Sequence, residues 1–243
     1  MEAAEYERIA AAEDEHWWYR STRATCEDLL GPWLRDGGTF LDAGCGPGGN
    51  GAWLARHGTA IGIDLASEGL QFVRERRPEL APAQASITAL PFPDATFDAV
   101  LEITVVTCVP DDGSAVRELA RVVRPGGALL LMEPAFRSLR REHDKTVHSI
   151  HRYRRAELGR LAEEAGLQVE RSTYAYSFLA PPAAALALSD RVRNRPVTDT
   201  GSDVERRSLD RVFAPLADVE RKRLRRGAVP FGSSVLVLAS RPA

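Results

Sequence analysis

The segment Phe40-Leu41-Asp42-Ala43-Gly44-Cys45-Gly46-Pro47-Gly48-Gly49 constrains this chain more than any other. An apolar run ends with an acid two residues before a glycine, and four glycines then fall within six positions. Side chains are nearly absent from such a turn, so a ligand can approach the backbone closely. The helix that follows presents unpaired N–H groups and the positive end of its dipole to whatever occupies the turn. A strand, glycine turn and helix in this order belong to an open α/β sheet.

The 243 residues, 44% of them apolar, suffice for one sizeable core and are short for two. We read a single domain over 1–243. It comprises an N-terminal helical lid at 1–36, a cofactor-binding core at 37–180, a substrate lid at 181–230 and a final strand at 231–243. The net charge of -2 gives no global attraction to nucleic acid or to an anionic membrane. The longest apolar run, Phe178 to Leu188, is broken by Pro181 and Pro182 and is too short to cross a bilayer. The acidic N-terminus lacks the basic and apolar blocks of a secretory signal. Cys26, Cys45 and Cys108 have no paired spacing, which argues against a disulfide framework and a zinc site and favours a reducing cytoplasm. The expected partner is a small molecule, with no nucleic acid and no membrane, and the expected assembly is a monomer or homodimer.

Residues 2 to 30 read as helical, with a dense His16-Trp17-Trp18-Tyr19 group. The first strand is expected at Thr39 to Asp42, a helix at about Asn50 to His57, and a β-branched second strand at Thr59 to Asp64. Then come a helix at Ser67 to Arg76, strands near Ala83 to Ser86 and at Phe97 to Glu102, a helix at Gly113 to Val123 and a strand at Ala128 to Glu133. A helix at Arg155 to Ala165, a strand at Leu167 to Tyr174 and a strand at Ser233 to Ser240 complete the series. Strands separated by helices of this length imply right-handed crossovers and a parallel sheet. The expected fold is a Rossmann-like, doubly wound, seven-stranded and mostly parallel sheet with helices on both faces. Its last strand should run antiparallel beside strand five or six. Residues 134 to 154 and 181 to 230 break the rhythm, and long connections of this kind usually serve as lids or binding loops.

Gly44, Gly46 and Gly49 satisfy G-x-G-x-x-G, and Asp64 lies twenty residues beyond Gly44, where an acid can hold ribose hydroxyls. That pattern suits a nicotinamide or flavin dinucleotide as well as S-adenosylmethionine. Asp42 separates the two, because its charge would repel a pyrophosphate and favours a ligand carrying sulfonium and ammonium groups.

Three further segments support that choice. Leu90-Pro91-Phe92-Pro93-Asp94-Ala95-Thr96-Phe97-Asp98 resembles an L-P-F-x-D-x-x-F-D motif, Val109-Pro110-Asp111-Asp112 a V-P-D-D motif, and Arg121-Val122-Val123-Arg124-Pro125-Gly126-Gly127 an L-R-P-G-G turn. With the glycine turn they cover residues 39 to 133 in order, and together they resemble the class I S-adenosylmethionine-dependent methyltransferases. The resemblance implies S-adenosyl-L-methionine as cofactor, with Asp42, Gly44 and Gly46 against its methionine part and Asp64 on the ribose. It also implies Leu65 packed on the adenine and Ser86 with Ile87 at the adenine edge. Two departures stand out. Ser86 replaces a frequent Asp, and Ile103-Thr104-Val105-Val106-Thr107-Cys108-Val109 stands where many members read L-D-x-L-x-H-V. His16-Trp17-Trp18-Tyr19-Arg20 resembles a segment found before the fold in part of the family. It suggests a helix closing over the cofactor, with Trp18 covering the pocket and Arg23 or Arg20 near the cofactor carboxylate.

Methyl transfer from a sulfonium is an in-line displacement, so the protein must align an acceptor and exclude water. A hydroxyl acceptor also needs a base. Three of the five histidines, His143, His148 and His151, fall within nine residues just after the fifth strand, at the edge where ligands bind. They are the candidate catalytic residues, and O-methylation of a small molecule is the function expected. No metal is expected, since Asp144 is the only carboxylate inside the cluster. The competing readings are loop pinning by His151, Arg152 and Tyr153, and a patch for an anionic substrate among Arg137, Arg140, Arg141, Arg152, Arg154 and Arg155. At the level of function the alternatives are N- or C-methylation, a cofactor-bound cyclase that transfers no methyl group, and an NAD-dependent oxidoreductase.

Overall fold

The computed structural model describes residues 2–141, 143–193 and 210–243. Seven strands form one sheet: β1 (Gly38–Ala43), β2 (Gly58–Asp64), β3 (Leu80–Gln84), β4 (Phe97–Ile103), β5 (Val123–Pro134), β6 (Gln168–Ala175) and β7 (Ser234–Ser240). Their order is β3-β2-β1-β4-β5-β7-β6. β7 runs antiparallel between β5 and β6, and the pairs from β3 through β5 are parallel. This is the doubly wound, mostly parallel sheet expected from the sequence, with its last strand reversed beside strand five.

The strands sort their side chains by alternation. On β5, Leu129 and Leu131 enter one core with Leu41, Val100, Val235 and Val237, whereas Ala128, Leu130 and Met132 enter the other with Phe40, Leu101 and Leu236. Because both faces are covered, the central strands are apolar throughout. Helices α5 (Asp112–Val122) and α7 (Arg155–Glu164) cover the first face. Helices α2 (Trp17–Leu30), α3 (Gly49–Leu54), α4 (Ser67–Arg76) and α9 (Asp210–Arg226) cover the second. The remaining helices are α1 (Ala3–Ala12), α6 (His143–Thr146) and α8 (Ala180–Arg193).

Four boundaries differ from the sequence reading. The helical stretch at 2 to 30 is split at residues 13–16, where His16 Nδ1 accepts from the Trp18 amide and caps α2. The third strand lies three residues earlier and contains Pro82, which is tolerated because β3 is an edge strand. The fifth strand starts at Val123, with a register break opposite Phe97 and Ala99 that absorbs the Arg124-Pro125-Gly126-Gly127 turn. α3 stops at Leu54, short of the expected His57.

Within the expected lid at 181 to 230, α9 is docked rather than loose. Arg221 and Arg225 both pair with Asp28 of α2. Glu220, buried, accepts hydrogen bonds from the Tyr176 and Ser177 amides and the Ser177 hydroxyl. Residues 194–209 of that stretch, with Arg195, Asp199, Asp203, Glu205, Arg206 and Arg207, lie outside the described residues.

Candidate active site

The glycine turn joins β1 to α3 at the C-terminal edge of the sheet. Gly44 has a φ of +88°, and a Cβ there would stand 2.1 Å from Val105 Cγ2, so the residue must be glycine on two counts. Gly46 also has positive φ, but a Cβ there would meet nothing within 4 Å, so its open side faces free space. The Gly44 and Cys45 amides both donate to the Ile63 carbonyl, which ties the turn to the end of β2.

Asp42 is 1% exposed, and its Oδ2 has no hydrogen-bond partner. Gly51 of α3 leaves it room, since a Cβ there would come within 3.2 Å of that oxygen. Burial pushes the Asp42 carboxyl up to about 7, a hydrogen bond from the Gly51 amide opposes the shift, and the charges of Glu13, Asp64 and Glu102 add to it. Several acids thus crowd one turn. That field suits a cation and is hostile to a pyrophosphate.

Two of these acids are already engaged. Asp64 Oδ2 accepts from the Gly46 amide at 3.0 Å, and its Oδ1 accepts from the Ala66 amide and the Tyr6 hydroxyl at 2.9 and 3.2 Å. Glu13, 3% exposed, accepts the Gly49 amide on Oε2 at 2.9 Å, directly at the start of α3. Arg77 donates to its other oxygen at 2.8 Å. Burial raises the Glu13 carboxyl and outweighs the Arg77 pairing that lowers it. The helix N-terminus where a dinucleotide phosphate would sit is therefore capped by a carboxylate of the protein itself. Arg23 lies beside this point. Its Nη2 donates to the Glu13 carbonyl at 2.6 Å, while its Nη1 is buried with no partner, and desolvation lowers its pKa.

A second group of polar residues closes the ends of β4 and β5. Glu102 Oε1 accepts from the Val105 and Val106 amides, and Glu133 Oε1 accepts from the Thr107 amide at 3.0 Å. Both carboxyls are raised by burial, and Glu133 the more, because Glu102 lies beside it. Thr107 carries the connection onward. Its carbonyl accepts the Ile150 and His151 amides, and its hydroxyl donates to the His151 carbonyl at 2.6 Å. Arg152 forks onto Asp144 with distances of 2.8 and 3.1 Å, and Tyr153 pairs with Ala135 and donates its hydroxyl to Asp112. The loop is thus pinned to the sheet through residues 151–153.

Among the residues named from sequence, Asp42, Gly44, Gly46, Asp64 and Arg23 converge on the glycine turn. Leu65 is 71% exposed next to it, and the Gln84 side chain and the Ala85 amide join the ends of β2 and β3 so that Ser86 follows alongside. Ile87 is buried in the core, and the Ser86 hydroxyl pairs with Thr88. Trp17 is buried, while Trp18 is half-buried against Tyr19 and Tyr176. The histidines do not come together as a metal centre, and no group of three or more metal-binding side chains occurs among the described residues. His148 is exposed at a φ of 57°, and His143 and His151 are half-buried, each with one buried ring nitrogen that lacks a partner. Tyr6, Glu13, Glu102 and Glu133 were missed. The two glutamates of β4 and β5 carry the same signal as Asp42, an acid at the end of an apolar strand.

The fold and the acid-lined glycine turn define a class, the Rossmann-like proteins that bind an adenosine cofactor bearing positive charge. Residues 41–131 match a family model described as a methyltransferase domain. A trans-aconitate 2-methyltransferase of Azoarcus is 30% identical over 189 residues, 76% of this chain and 72% of that protein. A fatty-acid O-methyltransferase of Mycolicibacterium smegmatis is 41% identical over 100 residues, 39% of this chain and 36% of that protein. A solved structure of geranyl diphosphate methyltransferase in complex with S-adenosylmethionine shares the fold, with a TM-score of 0.58 and 19% identity over 99% of this chain and 85% of that one. The chain belongs to the S-adenosylmethionine-dependent methyltransferases, and S-adenosylmethionine is its cofactor. The residues present suit that group: an orphaned buried carboxylate oxygen on Asp42, an orphaned guanidinium nitrogen on Arg23 and open space at Gly46 match its cationic and carboxylate ends. No described helix is long and apolar enough to cross a membrane.

Proposed function

We propose that the protein methylates an oxygen of a small molecule, with His151 taking the acceptor proton. The observation that carries this reading is the buried, unpartnered Nε2 of His151, in a residue hydrogen-bonded through its backbone to Thr107 at the ends of β4 and β5. His148, on an exposed left-handed turn, and His143, on the short α6, are weaker candidates for the same role. Asp42, Gly44, Gly46 and Arg23 hold the methionine end of the cofactor in this reading, Asp64 its ribose, and Leu65, Ser86 and Ile87 its adenine. Bound there, the cofactor supplies an electrophilic methyl group on a sulfonium. Trp18 and helices α1, α2, α8 and α9 wall off the acceptor and keep water out in this reading. The relatives named for a fatty acid and for trans-aconitate, and the structural neighbour named for geranyl diphosphate, support a small and anionic acceptor.

The test pairs product chemistry with one substitution. Carbon-labelled methyl transferred to an acceptor should report an O–CH3 resonance. His151→Ala should lower kcat by about a hundredfold, the usual scale of a lost general base, with cofactor affinity unchanged. Raising the pH should restore part of the rate, because a more ionised acceptor needs less help. Methyl on nitrogen or carbon, or an unchanged kcat, would sink the reading.

A further inference from the structure

We infer that a cleft at the start of α7 seats an anionic group of the acceptor, with Arg137 and Arg154 as its ligands. The cleft encloses about 230 Å³ between Phe136, Arg137, Ser138, Arg152, Arg154 and Glu157. Pockets that enclose a whole small ligand run to roughly 300–1,000 Å³, so this one takes a head group and leaves the rest of the molecule outside. Half of the lining residues are arginines, and their charges are not equally committed. Arg152 is neutralised by Asp144 and donates to the Ala135 carbonyl. Glu157 gives Oε2 to the Arg154 amide at 2.7 Å, which caps α7 rather than satisfying a guanidinium. Arg137 and Arg154 are exposed and form no ion pair with any described residue. Two lining arginines are therefore left without an ionic partner, beside the positive end of a ten-residue helix. Phe136, stacked on Tyr174 with ring centroids 4.9 Å apart, gives the cleft a fixed apolar wall.

Position ties the cleft to the chemistry. Arg154 lies three positions after His151, and three steps of extended chain span at most about 11 Å between their α-carbons. A single small molecule can therefore place an anionic group in the cleft and its reacting oxygen near His151. The part of the proposal that concerns the acceptor rests on the O-methylation reading, whereas the cleft itself stands on its own geometry. Guanidiniums bind carboxylate and phosphate oxygens through paired, charge-assisted hydrogen bonds, so either anion fits.

The experiment is calorimetric titration of the full chain with sodium octanoate, citrate and pyrophosphate, with no methyl donor present. At least one should bind, and its dissociation constant should rise about tenfold in Arg137→Gln and in Arg154→Gln, the scale of a lost charge-assisted pair. Stronger binding of pyrophosphate assigns a phosphate ligand, and stronger binding of octanoate or citrate a carboxylate. Arg160→Gln, which removes an arginine paired with Glu164 elsewhere on α7, should leave the constants unchanged. Because both cleft arginines are exposed and unpaired, the variants should melt with the wild type. The inference is overturned if none of the three anions binds, or if the Arg137→Gln/Arg154→Gln double variant binds them as the wild type does. Without a methyl donor in the cell, these titrations stay interpretable even if product analysis finds methyl on nitrogen, which would overturn O-methylation and leave the cleft standing.

Discussion

The glycine turn after β1 and the loop after β5 lie on the same edge of the sheet, but they are held by different physics. The turn is held mainly by its own backbone. Positive φ at Gly44, Gly46 and Gly48, and the absent side chain under Val105, leave few other paths for the chain. The loop is held by side chains, through Asp144 to Arg152, Thr107 to His151 and Tyr153 to Asp112. A backbone-built site keeps its shape whatever ligand variant enters. One built from side chains can be remodelled by single substitutions, which suits the acceptor-binding role proposed for this loop.

The largest expected effect is on the turn. Gly44→Ala puts a Cβ 2.1 Å from Val105 at a φ of +88°, so it should cost about 3 kcal/mol or more and abolish cofactor binding. Denaturant unfolding and cofactor titration would measure both, and a variant that binds normally would break the contrast. Next comes Asp144→Ala in the loop. Asp144 is 4% exposed and takes the Arg152 fork and the Arg141 amide, so its loss leaves a partly buried guanidinium unpaired at a cost of about 3 kcal/mol. Acceptor turnover should collapse while cofactor affinity holds. Equal losses in both would show that the two halves are mechanically one.

The smallest expected effect has the opposite sign. The Asp42 carboxyl is raised in the folded protein to about 7, so the folded state holds this proton more tightly than the unfolded chain does. Its contribution to stability is fully present below the ordinary carboxylate range and is lost as pH rises through about 7. Asp42→Asn should therefore raise the stability of the ligand-free protein at pH 8 by roughly 1–3 kcal/mol, do little at pH 4, and still destroy cofactor binding. For the wild type, cofactor affinity should climb as pH rises through about 7, because the ionised carboxylate is the form that attracts a cation. Thermal melts and titrations across that range would check both, and a pH-independent affinity would remove Asp42 from its role.

The candidate cofactor site is legible in the sequence because its requirements are local. A turn that needs positive φ selects glycine in sequence, and an acid at a strand end, such as Asp42 or Asp64, reports its own position at the sheet edge. The β-branched and apolar runs of β1, β2 and β4 announced a sheet covered on both faces for the same reason. What stayed hidden depends on distant pairs. Tyr6 reaches Asp64 across 58 positions and Glu13 reaches Gly49 across 36, and no periodicity records such meetings. The histidine cluster shows the same limit. Its members are close in sequence but end on an exposed turn, a short helix and a pinned extended segment, because Thr107 and Asp144 decide how the loop folds back.

The sequence by itself determined the sheet, the glycine turn and the cofactor class, since each follows from backbone sterics, side-chain alternation or a charge within a few residues. Only the tertiary structure decided that Glu13, just past α1, supplies the cap of α3, that Glu102 and Glu133 meet at the strand ends, and that arginines separated by a loop share one cleft. Those outcomes depend on which surfaces the packing of helices on the sheet brings within a few ångströms, and that choice is made by the whole core at once.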